Sequence, residues 1–87
     1  MIKIDFSVKS EIVPEYIVDS SGRKYLFDEL GQPHSYNDMP AIIYAYGTKE
    51  WFKHGLRHRD NNLPAVIFEN GLKHWYVNGD FIRTEYP

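Results

Sequence analysis

Pro64-Ala65-Val66-Ile67-Phe68-Glu69-Asn70-Gly71-Leu72-Lys73-His74-Trp75-Tyr76-Val77-Asn78-Gly79 is the stretch that decides the fold. An apolar run, Ala65–Phe68, and an aromatic run, His74–Val77, flank Asn70-Gly71. Both runs are rich in β-branched and aromatic side chains, which fit a pleated surface. Asn-Gly favours a two-residue type I′ turn, because both central positions need φ > 0. The segment therefore predicts a hairpin with Glu69 opposite Leu72, Ile67 opposite His74, Val66 opposite Trp75 and Ala65 opposite Tyr76. Asn78-Gly79 supplies the next turn, so the strands continue as a meander.

The same unit occurs immediately upstream. Residues 31–54 set over 55–78 give nine identities in 24 positions without a gap: Gly31/Gly55, His34/His58, Asn37/Asn61, Pro40/Pro64, Ala41/Ala65, Ile43/Ile67, Gly47/Gly71, Lys49/Lys73 and Trp51/Trp75. Unrelated segments of average composition share about one or two. Five further pairs are conservative: Asp38/Asn62, Met39/Leu63, Ile42/Val66, Tyr44/Phe68 and Phe52/Tyr76. Such a period means stacked copies of one supersecondary unit with atypical ends. Residues 79–87 open a truncated copy in which Arg83 matches Arg59. Residues 1–30 hold an N-terminal strand and a degenerate copy with one extra residue in each half. The expected fold is mostly β: one domain, a meandering antiparallel sheet of tandem hairpin repeats of 24 residues.

Cross-strand partners share a face, so the register sorts the side chains. With Tyr46-Gly47 turning as Asn70-Gly71 does, Ile42 pairs with Trp51 and Tyr44 with Lys49. One face then carries Ile42, Tyr44, Trp51, Leu56, Val66, Phe68, Trp75, Val77 and Ile82, the expected core. The other carries Ala41, Ile43, Phe52, Arg57, Ala65, Ile67 and Tyr76, with Glu50, Arg59, His74 and Asn78 between them. The alternating segment Ile2–Val8 is expected to cover an edge or to lie on the core face.

The bulk numbers narrow the function. Eighty-seven residues with 43% hydrophobic and 25% charged content make one small globular domain, too apolar for a disordered tail. A net charge of −2 and a pI near 6.0 give neither a basic footprint for nucleic acid nor an attraction to anionic membranes. The absence of cysteine removes disulfides and thiolate metal sites and fits a reducing compartment. No stretch has the length and apolarity of a membrane span, and no apolar targeting core follows Met1. The chain reads as a complete small cytoplasmic gene product.

The unit Pro40-Ala41-Ile42-Ile43, Gly47-Thr48-Lys49-Glu50-Trp51-Phe52-Lys53-His54-Gly55, Leu56-Arg57-His58-Arg59 resembles the tandem β-hairpin repeats of small bacteriophage and giant-virus proteins. It is also loosely similar to the MORN-type repeats of antitoxin-like proteins. The resemblance covers about residues 31–83. It implies a sheet used as an interaction platform. In its phage form it implies an inhibitor of a host protein, such as a defence nuclease or CRISPR effector, acting in the host cytoplasm.

Catalytic constellations are missing. No HExxH, Ser-His-Asp order, phosphate-binding glycine loop or carboxylate cluster is present. A hydrolytic or metal site could be drawn from His54, His58 and Asp60, but His58 and its repeat His34 are expected to be strand-edge residues facing a tryptophan, and Asp19, Asp28 and Glu29 to be solvated residues of strands or turns. No metal and no cofactor is expected. Lys53-His54-Gly55-Leu56-Arg57-His58-Arg59 is the one basic cluster; beside Trp51 and Phe52 it makes single-stranded nucleic acid an alternative ligand. A Glu50–Arg59 pair is expected across the hairpin. Aromatic and arginine anchors favour interface centres, so Phe52, Arg57, Arg59, Tyr76 and His74 are the expected partner-binding residues. A partner protein is the expected ligand, with a homo-oligomer also compatible. The second alternative is an antitoxin-like or structural β-repeat protein.

Overall fold

The computed structural model describes residues 14–87, so Ile2–Val8 lies outside the described residues. Nine strands follow: β1 Ile17–Val18, β2 Lys24–Tyr25, β3 Ile42–Ile43, β4 Lys49–Glu50, β5 Phe52–Lys53, β6 Leu56–Arg57, β7 Val66–Ile67, β8 Lys73–Val77 and β9 Asp80–Glu85. Every pairing is antiparallel. Seven strands form one sheet in the order β1-β2-β3-β4-β7-β8-β9, and β5-β6 branches from it as a separate hairpin. The described residues contain no helix. The architecture is thus the expected mostly β meander.

Two kinds of turn punctuate the copies. His54-Gly55 (φ 45° and 85°) and Asn78-Gly79 (φ 49° and 88°) are two-residue turns with both centres left-handed. They pair Lys53 with Leu56 and Val77 with Asp80. At Tyr46-Gly47 and Asn70-Gly71 the structure corrects the reading. There the loop has three residues. Tyr44 N–H donates to Thr48 O at 2.9 Å and Gly47 N–H to Tyr44 O at 2.9 Å, and Phe68, Leu72 and Gly71 repeat the pattern at 2.8 and 2.9 Å. Only the glycine is left-handed, at 109° in Gly47 and 95° in Gly71, the geometry of a type I turn closed by a glycine bulge. In the first copy Tyr46 favours this loop, because a bulky side chain at φ > 0 is strained; Asn70 adopts the same loop although it tolerates either turn.

One extra loop residue shifts the register by one. Ile42 faces Glu50, not Trp51, and Val66 faces His74, not Trp75. Such a slip moves the second strand of each hairpin to the other face. Trp51 lies in register between Ala41 and Ala65, and Trp75 between Ala65 and Arg83. Ala41 and Ala65 are fully buried, Trp51 and Trp75 are 5% and 8% exposed, and Leu26 joins them. A methyl group beside each indole leaves room for it, which explains the repeated Pro-Ala. Each indole Nε1–H donates to a turn carbonyl, Asp38 O at 2.9 Å and Asn62 O at 3.0 Å. Those carbonyls belong to the left-handed pairs Asn37-Asp38 and Asn61-Asn62. Leu56, Val77 and Ile82, expected in the core, are about half exposed.

Candidate functional site

The corrected register sorts the repeat in a way the first reading hid. Ala41, Ile43, Lys49 and Trp51 share one face, and their counterparts Ala65, Ile67, Lys73 and Trp75 are identical. Ile42, Tyr44, Glu50 and Phe52 share the opposite face. Their counterparts Val66, Phe68, His74 and Tyr76 all differ. We call these the indole face and the variable face. A signal for this division was present in Tyr46, whose side chain disfavours the two-residue turn.

Four of the five expected contact residues meet on the variable face. The Arg57 guanidinium lies 5.7 Å from the Phe52 ring centre and 5.4 Å from that of Tyr76. Its Nε–H donates to Glu50 Oε1 at 2.7 Å, and Tyr44 Oη–H donates to Glu50 Oε2 at 2.5 Å. Glu50 is buried; sequence reasoning gave it no role beyond a pair with Arg59. Burial, reinforced by the Glu50 carboxylate, pushes the Tyr44 hydroxyl up to about 12, and the same carboxylate raises Arg57. His74 stands edge-on to Phe68 at 4.9 Å and to Phe81 at 5.6 Å. One copy thus holds Tyr44–Glu50–Arg57 where the next holds Phe68–His74–Phe81. The same backbone frame carries a charged triad and an aromatic one.

Arg59, the fifth residue, is on the indole face, and its expected pair with Glu50 does not form. Its guanidinium covers Trp51 at 3.8 Å, donates from Nε and Nη2 to Asp38 at 3.0 and 3.1 Å, and from Nη1 to Pro64 O at 3.2 Å. Arg83 covers Trp75 in the same way at 3.7 Å. Strict alternation would put positions 57 and 59 on one face. A bulge breaks it in the last copy: Trp75 faces Arg83 while Tyr76 faces Phe81, so Ile82 is the extra residue. His58 occupies the corresponding place. Arg59 is therefore a clamp between copies, and its guanidinium holds the Asp38 carboxyl below the usual range.

The copies are also joined through their turns. His54 N–H donates to His34 Nδ1 and Asn78 N–H to His58 Nδ1, both at 2.9 Å. Gly55 and Gly79 N–H donate to Pro33 O and Arg57 O, both at 2.8 Å. Ile82 stands where His34 and His58 stand and offers no ring nitrogen.

His54, Asp28 and His34 form a second cluster. His54 Nδ1 is 2.7 Å from Asp28 Oδ2, and the two imidazoles stack at 4.1 Å. Asp28, expected to be solvated, is buried, and its Oδ1 accepts Leu30 and Gln32 N–H at 2.9 Å each. The His54 hydrogen bond holds its carboxyl below the usual range, whereas burial, with His54 beside it, lowers His34. Ligand atoms of the three lie within 4.8 Å of one another, yet the hydrogen bonds disfavour a shared cation. Because His34 Nδ1 accepts the His54 N–H, the proton of the neutral ring sits on Nε2, and no lone pair is left for a metal. The cluster fastens the 28–32 loop to the next turn.

The fold defines the class: a tandem β-hairpin repeat array with one invariant and one varied face. Comparison of the chain with protein-family models, with curated proteins and with solved structures found no match.

Proposed function

We propose that this chain is a small protein-binding module whose contact surface is the variable face. The observation that carries the reading is the division between copies around the hairpin centre: Ala41/Ala65, Ile43/Ile67, Lys49/Lys73 and Trp51/Trp75 are identical, whereas Ile42/Val66, Tyr44/Phe68 and Phe52/Tyr76 change conservatively and Glu50/His74 changes in kind. Positions that serve packing keep one residue, because each copy must dock on the next in the same way. On the variable face Ile42, Val66 and Glu50 are buried and still serve packing, and the demand is relaxed at the accessible positions around them. They carry Phe52, Arg57, His74 and Tyr76, residue types that anchor interfaces, on a stiff sheet that loses little entropy on docking. The resemblance of the repeat to phage proteins supports a finer reading, inhibition of a host protein such as a defence nuclease or CRISPR effector in the host cytoplasm. Single-stranded nucleic acid is the weaker alternative, because Arg59, the second arginine of the basic cluster, is committed to Asp38 on the other face.

The test begins with capture of a protein from a bacterial lysate and purification of that protein. Its affinity is then measured for variants of both faces. Phe52→Ala and His74→Ala should each weaken binding by about 1–2 kcal/mol, and Lys49→Ala on the indole face should leave it unchanged. Losses confined to indole-face variants would place the contact elsewhere.

A further inference from the structure

We infer that the variable face takes an acidic side chain of a partner polypeptide, gripped by the Nη edge of Arg57. The inference rests on the reading of that face as the contact surface and adds the chemistry of what it grips.

Among the described residues, Arg57 is the arginine most clearly built to present its charge. Arg59 is consumed by Asp38, Pro64 and Trp51, Arg23 donates to the Tyr25 hydroxyl at 3.3 Å while lying over Tyr44, and Arg83, though 48% exposed, lies flat over Trp75 at 3.7 Å on the indole face with Glu85 at 3.6 Å. Arg57 engages only its Nε, with Glu50. Its two Nη groups make no hydrogen bond among the described residues, and its side chain is 45% exposed while that of Glu50 is 7% exposed. Glu50 thus holds the guanidinium from behind, and Phe52 and Tyr76 hold it from the sides. The free edge is a planar pair of donors that matches a carboxylate in two parallel hydrogen bonds. Because neighbours already fix the side chain, little of its rotamer freedom remains to be lost.

The surroundings favour a polypeptide as the source of the acid. Beside Arg57 a cleft of about 220 Å³ is lined by Glu50, Val66, Phe68, His74 and Tyr76. Its walls are mainly apolar and aromatic, which suits a carboxylate carried on a hydrocarbon stem among apolar neighbours. A phosphate backbone would call for several unpaired cations, and here the second arginine of the basic cluster is committed to Asp38 on the other face.

The repeat supplies its own control. Replacing Tyr44, Glu50 and Arg57 by the residues of the next copy (Y44F/E50H/R57F) keeps a set that this backbone already accommodates and removes the fork. Arg57→Lys keeps the charge and loses the planar pair. The probe is a random dodecapeptide library selected on the wild-type protein, followed by titration of synthetic peptides into wild type, R57K, the triple variant, F52A and H74A. Thermal melts accompany each variant. Selected peptides should share an Asp or Glu beside an aliphatic or aromatic residue. Changing that acid to its amide should weaken binding about tenfold or more; Arg57→Lys should do so by more than its own loss of melting temperature accounts for, and the triple variant should lose as much. Peptides without an acid, or full affinity in R57K while F52A and H74A bind weakly, overturn the acid grip and leave the variable face as the contact surface. Peptide binding indifferent to every variable-face substitution overturns both. Displacement of the peptides by oligo(dT), lost in R57K, overturns the inference by making a phosphate backbone the occupant.

Discussion

Replacing Arg59 with alanine separates a structural clamp from a contact residue. The side chain is 13% exposed and its partner Asp38 is 53% exposed. The ion pair is therefore partly screened and is worth about 0.5–1 kcal/mol even with two hydrogen bonds. The stack on Trp51 at 3.8 Å is shielded on one side and adds about 1 kcal/mol. The bond to Pro64 O contributes about another 1 kcal/mol, since a buried carbonyl loses its donor. These terms overlap, and the sum comes to about 2–3 kcal/mol. A domain of this size shifts its midpoint by roughly 4–8 °C per kcal/mol, so Arg59→Ala should melt about 10–20 °C below wild type. Arg59→Lys should fall between the two, because a lysine keeps the charge but not the fork. Urea titration followed by tryptophan fluorescence reads the loss directly, since Trp51 is the ring being uncovered. An Arg59→Ala protein that melts within about 2 °C of wild type, yet has lost its partner, would refute the clamp and restore Arg59 to the contact surface.

Three further outcomes follow from the same geometry. Trp51→Ala should cost about 3–5 kcal/mol through the cavity it leaves, a large share of a total stability of about 5–15 kcal/mol, as urea titration monitored by circular dichroism will measure; a loss under about 1 kcal/mol would contradict its burial between Ala41 and Ala65. Acidification should act in two windows. His34 has a lowered folded pKa, so the stability it contributes is complete above the unfolded value of about 6.5 and falls as the pH drops through the folded one; Asp28 and Asp38, also lowered, act the same way starting near pH 4. Melts at stepped pH on wild type and His34→Gln should show the upper window shrinking in the variant. Gly47→Ala forces a side chain to φ 109° and should destabilise by about 1–2 kcal/mol, whereas a neutral result in thermal melts would mean that the loop relaxes to another turn.

Much of this protein is written in local sequence. The 24-residue period, the glycines of the turns, the alternation of runs and turn residues and the burial of the repeated tryptophans follow from short-range rules, because each hairpin is closed by residues adjacent in the chain. The turn at Asn78-Gly79 is legible from its two residues alone. Asn70-Gly71 fits two turn types equally well, since a left-handed glycine closes both the two-residue and the three-residue loop. Reading the two-residue turn there placed Trp51 and Phe52 on the wrong faces relative to Ile42. What only the tertiary structure decided are relations between copies. Arg59 is separated from Asp38 by 21 positions and His54 from Asp28 by 26, and no local propensity specifies such meetings. The period of two breaks at the bulge of Ile82, whose place His58 holds one copy earlier, and Arg57 and Arg59 part to opposite faces although the sequence spaces them as neighbours on one. Docking of one hairpin on the next settles which arginine holds the array together and which is left facing outward.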